Sequence, residues 1–418
     1  MKKYQSHAGY FGAISLVILS FILIFLESHQ IITITNAFVY VIVGISFIVM
    51  LISELFLQIK YIKKHKITVK ISALSNSNLY ILKSSIIRFI ALFIPFLIAY
   101  ALVQKHRIFF YESKEFFNYL LVIFSTLSIP YIFFTLKFKG DKSYEIGDYA
   151  IITIVGVKSF YKHLFDKNYK YHFYKNRRVK KVARLYLVNL IFLSLMSKFV
   201  IDEFNGFKEQ IQLLIWDYDG FNHWYNRYRS FYLVIFHLLF IVDVSIAIIG
   251  YSFASRWLYN RTKSVDATLS GWMIALMCYP PLNSVSGRLI SYNGLDTHQL
   301  ITNEYALSII LTLLIVLYSI YVWATVALGF KFSNLTNRGI VDIGPYKYVR
   351  HPAYVAKNSA WWIDNTFVLT NIWATIAMAL WNLVYATRAL TEERHLKQDN
   401  NYLEYCDRVK YKFIPKLI

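Results

Sequence analysis

Apolar residues in this chain come in blocks separated by polar and basic stretches. A helix needs roughly 20 mostly apolar residues to cross the hydrocarbon of a bilayer. Residues 11–27, 32–52, 86–103, 116–136, 185–201, 231–252 and 305–330 meet or approach that length. An eighth block, 268–285, is interrupted by Pro280 and Pro281, and 359–387 reads as two short helices around a polar turn at 364–371. Backbone groups in lipid must be satisfied internally, which leaves helices or closed barrels, and unbroken runs of this length exclude barrel strands. The pattern predicts an all-α polytopic membrane bundle: about eight spanning segments, a short C-terminal helical hairpin and a cytoplasmic tail helix. The apolar stretch 149–157 is too short to span and is expected to lie at the interface or packed beneath the bundle.

Composition agrees and charge adds orientation. The chain is 57% hydrophobic and only 17% charged, whereas soluble domains carry about 25% charge. The net charge of +21 is concentrated in alternate loops. Lys60, Lys63, Lys64, Lys66, Lys70 and Lys83 follow the second block, and Lys175, Arg177, Arg178, Lys180, Lys181 and Arg184 precede the fifth. The loop 28–35 has no Lys or Arg, and 202–230 carries Asp202, Glu203, Glu209, Asp217 and Asp219 with few bases. This alternation follows the positive-inside rule. It puts the N-terminus, both basic loops, 253–267, 331–358 and the C-terminal tail in the cytoplasm. Basic charge facing anionic headgroups needs no nucleic acid; none is expected as a partner, and the oligomeric state is not encoded. Lys2 and Lys3 precede an apolar run with no small-residue cleavage site before Glu27, so the first block is expected to stay as an anchor. Cys278 and Cys406 lack metal-ligand spacing, so no metal is expected, and Cys406 falls on the reducing side.

The candidate chemistry concentrates beyond residue 304, dividing the chain into an N-terminal bundle, 1–304, whose role the pattern does not reveal, and a module, 305–418. The segment 338–354 carries Arg338, Gly339, Gly344, Pro345, Tyr346, His351, Pro352 and Tyr354. Glycines and prolines set tight turns, and the helix starting near Tyr354 offers free N–H groups to an anion. A positive-inside loop explains Arg338, Lys347 and Arg350, but not two glycines, two prolines, a histidine and three tyrosines in so short a stretch. The second cluster, 385–396, puts Arg388 and Glu392 on one helical face, with Glu393 one position round.

A Gly-x-Tyr-x-x-x-x-His-Pro-x-Tyr loop (Gly344, Tyr346, His351, Pro352, Tyr354) precedes a short hairpin. Arg388, Glu392, Glu393 and Leu396 follow it, then a tail with Tyr402, Tyr405, Val409, Ile414 and Pro415. Together these resemble the isoprenylcysteine carboxyl methyltransferase family, whose superfamily also takes in phospholipid N-methyltransferases. The resemblance implies a membrane-embedded methyltransferase that uses S-adenosylmethionine on a lipidic or amphiphilic acceptor at the cytoplasmic face. It assigns cofactor binding to Arg338, Gly339, Ile340, Val341, Tyr346, His351, Pro352, Ala353, Tyr354 and Glu392, and acceptor binding and catalysis to Arg388. A carboxylate acceptor needs no general base; for an amine or thiol, Glu393 or His351 is the nearest candidate. Ala353 and Ala356 stand where the family often has Ser and Gly, and Lys357 where an apolar residue is expected.

The alternative is an NADPH-dependent membrane reductase of the sterol-reductase type, which shares the His-Pro-x-Tyr loop and the tail. Such enzymes typically carry Asn between Pro and Tyr and Arg-Asp-Glu in place of Thr391-Glu392-Glu393, which favours methyl transfer. A transporter or scaffold would suit the many spans, but no inverted repeat is visible. Elsewhere, 255–272 reads first as a positive-inside loop and second as a floor for the site or a binding segment for a lipid phosphate. The break at Pro280 and Pro281 could line an acceptor portal. Trp216, His223, Trp224 and Arg227 suit an interfacial belt, and His237 and Asp243 lie within a span.

Overall fold

The computed structural model describes residues 4–66, 77–139, 149–166, 176–216, 223–291 and 301–414. Among these residues, seven helices are long and apolar enough to cross a membrane. These are α1 (Ala8–Ser28), α2 (Asn36–Lys64), α3 (Asn78–Lys105), α4 (Tyr111–Lys139), α6 (Arg177–Trp216), α7 (Trp224–Ser252) and α10 (Glu304–Leu328). At 1.5 Å rise per residue, the 21 residues of α1 just cover the hydrocarbon, whereas the 40 of α6 extend well beyond it. Side chains such as Ile14, Ile18 and Phe25 on α1 and Val122 and Leu127 on α4 face outward, as hydrocarbon-facing surfaces must. The protein is an all-α polytopic membrane bundle. Lys2, Lys3, Lys70, Lys175, Asp217, Asp219 and Pro415 lie outside the described residues.

The core forms around the α6–α7 pair. Every residue from Ile241 to Tyr251 is buried, and the Phe192 ring stacks on Tyr251 at 5.1 Å. The start of α1 lies against the end of α10 so closely that a Cβ on Gly9 would collide with the Val326 carbonyl. The loops sort into two ends. At one, Trp323 Nε1 donates to Tyr10 Oη (2.9 Å), Gln58 Nε2 to the Trp257 carbonyl (2.9 Å), and Lys263 pairs with Asp399 (2.6 Å). At the other, Lys208 pairs with Glu27 (2.7 Å) and Asn36 with Glu115 (2.8 Å).

The eighth expected span is absent. The block 268–285 forms two eight-residue helices, α8 (Leu269–Leu276) and α9 (Leu282–Leu289). Each rises only about 12 Å, and Pro281, having no N–H, cannot extend α8. The short helix α5 (Tyr149–Phe165) packs against α3 and α6. The hairpin is formed by α11 (Pro352–Asp364), a 3-10 turn at Thr366–Thr370 and α12 (Ile372–Leu396). Its second arm is longer than expected, running unbroken past residue 387 and carrying Arg388, Glu392 and Glu393 outward. The tail helix α13 (Asn400–Arg408) is capped by Asp399, whose side chain accepts from Asn401 N (3.1 Å).

One short ladder ties the two halves of the chain together. β1 (Ser264–Val265) pairs antiparallel with β2 (Thr336–Asn337), Ser264 opposite Asn337 and Val265 opposite Thr336. Lys263 N to the Asn337 carbonyl (2.7 Å) and Asp266 N to the Leu335 carbonyl (2.8 Å) extend it. The loop after α7 is thereby held against the loop after α10.

Candidate active site

Helical spacing brings Arg388, Thr391, Glu392 and His395 of α12 to one face. There they line a cavity whose other walls are Asp266, Gly271 and Ala275 around the start of α8, Asn334 to Thr336 before and in β2, and Tyr354 on α11. From the segment 255–272, Asp266 and Gly271 thus stand on the wall of this cavity. The ladder explains why: residues about 70 apart in sequence are held side by side by backbone pairing.

Arg388 is buried, with its guanidinium 5.4 Å from the Tyr279 ring and 5.5 Å from the Tyr354 ring. Such cation–π contacts suit a guanidinium. One Nη2 donates to Asn334 Oδ1 (2.7 Å). Asn334 is itself fixed, its N–H donating to Tyr251 Oη (2.7 Å) and its Nδ2 to Tyr279 Oη (3.2 Å). Among the described residues no carboxylate pairs with Arg388. One turn on, Glu392 is exposed and accepts from Tyr354 Oη (2.9 Å) through one carboxylate oxygen. Tyr354 stacks on the His351 ring (5.6 Å, 12° between planes).

Glu393 occupies different surroundings. It does not line the cavity and is 2% exposed, with Arg350 Nε at 3.2 Å, His351 Nε2 at 3.3 Å, Lys397 Nζ at 3.8 Å and Lys412 Nζ at 4.0 Å. Burial alone would raise its pKa, but the contact with His351 and the charges of Arg350, His351 and Lys412 prevail and hold the carboxyl below its usual range. The tail closes over the same point: Arg350 N and His351 N donate to the Tyr411 and Lys412 carbonyls (3.0 and 2.9 Å). The geometry makes Glu393 a clasp between loop, helix and tail. Neither Glu393 nor His351 is among the residues that line the cavity.

Of the residues that the resemblance assigns to the cofactor, Tyr354 and Glu392 line the cavity. Gly339 takes φ +105°, a left-handed conformation that glycine alone adopts freely, with its N–H on Asn337 Oδ1 (2.8 Å). Ile340 packs against the cluster of Tyr402, Tyr405 and Val409, and Tyr346 against that of Ala327, Val341 and Ile343. Tyr346 also accepts at its carbonyl from Tyr405 Oη (2.8 Å). Pro352 is buried at the first position of α11, with Ala353 next. Arg338 departs most: its side chain turns away from the cavity, buried, and donates to the Gly250 carbonyl. The Gly250 carbonyl at the end of α7 holds the guanidinium there, because a buried donor needs an acceptor.

Residues outside both motifs complete the site. Asn334 and Tyr251 carry no periodic or motif signal, and Tyr279 was visible only as a neighbour of Pro280. Lys357 sits with its ammonium 5.7 Å from the Tyr321 ring, 5.2 Å from Trp361 and 5.7 Å from Tyr385. Asp243 lies nearby, accepting from Thr325 Oγ1 (2.5 Å) and Tyr321 Oη (3.0 Å). His237 instead pairs with Glu203 (2.8 Å), a packed polar contact. His223 meets Glu304 at 3.4 Å, with Trp224 beside Tyr305.

Comparison with curated proteins and with solved structures returns no match. The segment that carries this site, 307–398 from within α10 to just past α12, matches the Isoprenylcysteine carboxyl methyltransferase (ICMT) family.

Proposed function

We propose that the chain is a membrane methyltransferase that takes its methyl group from S-adenosylmethionine and acts on a lipidic or amphiphilic acceptor at the cytoplasmic face. The observation that carries this reading is the juxtaposition of Arg388, which has no carboxylate partner among the described residues, with Glu392 one turn away, inside a segment that matches a methyltransferase family. The basic end of the bundle, with the start of α1 and the site loops, is taken as cytoplasmic on the positive-inside rule. The module 305–418 would supply the catalytic groups, with the loop 255–279 as its second wall.

The residues present suit the cofactor. Glu392 keeps one carboxylate oxygen free of the Tyr354 hydrogen bond, and that oxygen can hold an ammonium or ribose hydroxyls. When bound, the cofactor supplies an electrophilic methyl on a sulfonium. Arg388 would hold the acceptor's anionic group through the donors that Asn334 leaves free, while Tyr279 and Tyr354 hold it in cation–π contact. The gain is in alignment and exclusion of water. Neither Glu393 nor His351 lines the cavity; His395 and Asp266 do, but His395 Nε2 is held by Ser264 Oγ (3.1 Å) and Asp266 Oδ1 accepts from Thr268 N and Oγ1 (2.8 and 2.7 Å). A carboxylate, ionised at neutral pH, is therefore the acceptor group that suits the site best.

Calorimetric titration of the purified protein in detergent tests the class. S-adenosylhomocysteine is expected to bind and NADPH to give no heat; the reverse would overturn the reading. Glu392→Ala is expected to weaken S-adenosylhomocysteine binding about 10- to 100-fold, the worth of one or two hydrogen bonds to a charged group. Unchanged affinity would place the cofactor elsewhere.

A further inference from the structure

A second cavity, of about 120 Å³, lies apart from the first, between α3, α5, α6 and the end of α7. Its wall includes Leu92, Tyr149, Asn189, Thr262 and Arg338, and no Asp or Glu. Polar atoms on that wall are buried without hydrogen-bond partners among the described residues: Arg338 Nε, Thr262 Oγ1 and Asn189 Oδ1. Arg338 is 3% exposed and Thr262 2%. The Tyr149 ring is flanked by two more cations, Lys181 Nζ at 5.8 Å and Arg261 at 5.4 Å, and Lys181 Nζ likewise has no hydrogen-bond partner among the described residues.

Buried polar groups in folded proteins are almost always paired, and buried cations are held by anions. Here the Arg338 guanidinium and the Thr262 hydroxyl line one cavity, with the Lys181 ammonium over the Tyr149 ring of the same wall, and among the described residues no acid lines it. The Asn189 amide can offer its oxygen to a hydroxyl or, rotated, its NH₂ to an anion. At about 30 Å³ for one water in the liquid, the space admits a group the size of a phosphate. The remaining wall combines Leu92, Val182 and Leu185, from helices long and apolar enough to cross a membrane, with Tyr186, Tyr251 and Ser252.

We propose that this cavity is a binding site for a phosphate group, presented by the headgroup of an anionic membrane lipid. Basic pockets between transmembrane helices on the cytoplasmic side suit that ligand. Arg338 opens the turn that continues through Gly339 to Val341, so an occupied cavity also anchors the loop beside the candidate active site. The inference stands whether or not methyl transfer is the reaction.

Thermal melting in nanodiscs tests it, with phosphatidylcholine alone, with added phosphatidylglycerol, and with inorganic phosphate over phosphatidylcholine. Wild type is expected to melt several degrees higher with phosphatidylglycerol. Lys181→Met, which removes an unpaired buried cation, is expected to melt above wild type in phosphatidylcholine alone and to lose the increment. Thr262→Val, nearly isosteric, is expected to reduce the increment, and keeps the test alive if Lys181→Met does not fold. An equal increment from inorganic phosphate would show that the free anion suffices and remove the lipid from the proposal. No increment with either, or one that both variants retain, would overturn it and leave a merely hydrated cavity.

Discussion

Arg388→Ala is expected to lower methyl transfer by about two to three orders of magnitude while leaving S-adenosylhomocysteine binding intact. The guanidinium is buried, in cation–π contact with Tyr279 and Tyr354 and tethered by Asn334, with no carboxylate partner among the described residues. Its charge is thus held ready for an acceptor anion. Removing one partner of a desolvated charge pair costs about 3–4 kcal/mol, and each 1.36 kcal/mol is a tenfold change in rate. Arg388→Lys should recover little, because an ammonium lacks the planar fork that would bridge Asn334 and the acceptor. The measurement is transfer of labelled methyl from cofactor to a membrane extract, beside a calorimetric titration with S-adenosylhomocysteine. Turnover equal to wild type would remove Arg388 from the reaction. Lost cofactor affinity would move it to the other ligand.

The second large effect is on stability. Glu393→Ala leaves Arg350 and His351 facing each other with no counter-charge at the point where loop, α12 and tail meet. Breaking a buried ion pair from one side costs about 3–5 kcal/mol, so the variant should melt well below wild type. A carboxyl whose folded pKa is depressed contributes stability above its unfolded value of about 4.3 and loses that contribution as pH falls towards the folded value. Wild type should therefore lose melting temperature as pH drops below about 5. Glu393→Gln should show a shallower fall over the same window. Some slope will remain, because Asp399 titrates there too. Its burial opposes ionisation, but hydrogen bonds from Lys263, Asn401 and Asn337 outweigh that and hold it low. Melting of Glu393→Ala at the wild-type temperature would refute the clasp.

Much of the fold was legible because lipid allows few solutions. Seven of the eight expected blocks are spanning-length helices, since a long apolar run in hydrocarbon must satisfy its own backbone. The exception, 268–285, carried its own warning in Pro280 and Pro281, which shorten what hydropathy alone would lengthen. The spacing of Arg388 and Glu392 likewise placed both on one face of a helix, and both line the cavity.

The rest depended on pairings that no local pattern encodes. Arg338 and Glu393 stood within the same motifs as Gly339 and Glu392, yet one side chain turns into the bundle and the other into a cage of cations. Sequence determined which segments are helices, which end of the bundle is basic, and which residue types cluster near the C-terminus, because hydrophobic length and charge alternation are read one residue after another. Tertiary structure alone decided that Asp266, Tyr279 and Asn334 share the site with Arg388, and that Arg338 serves a different cavity. The contacts responsible, the pairing of Ser264 with Asn337 and the packing of α7 beneath the loop, join residues far apart in the chain.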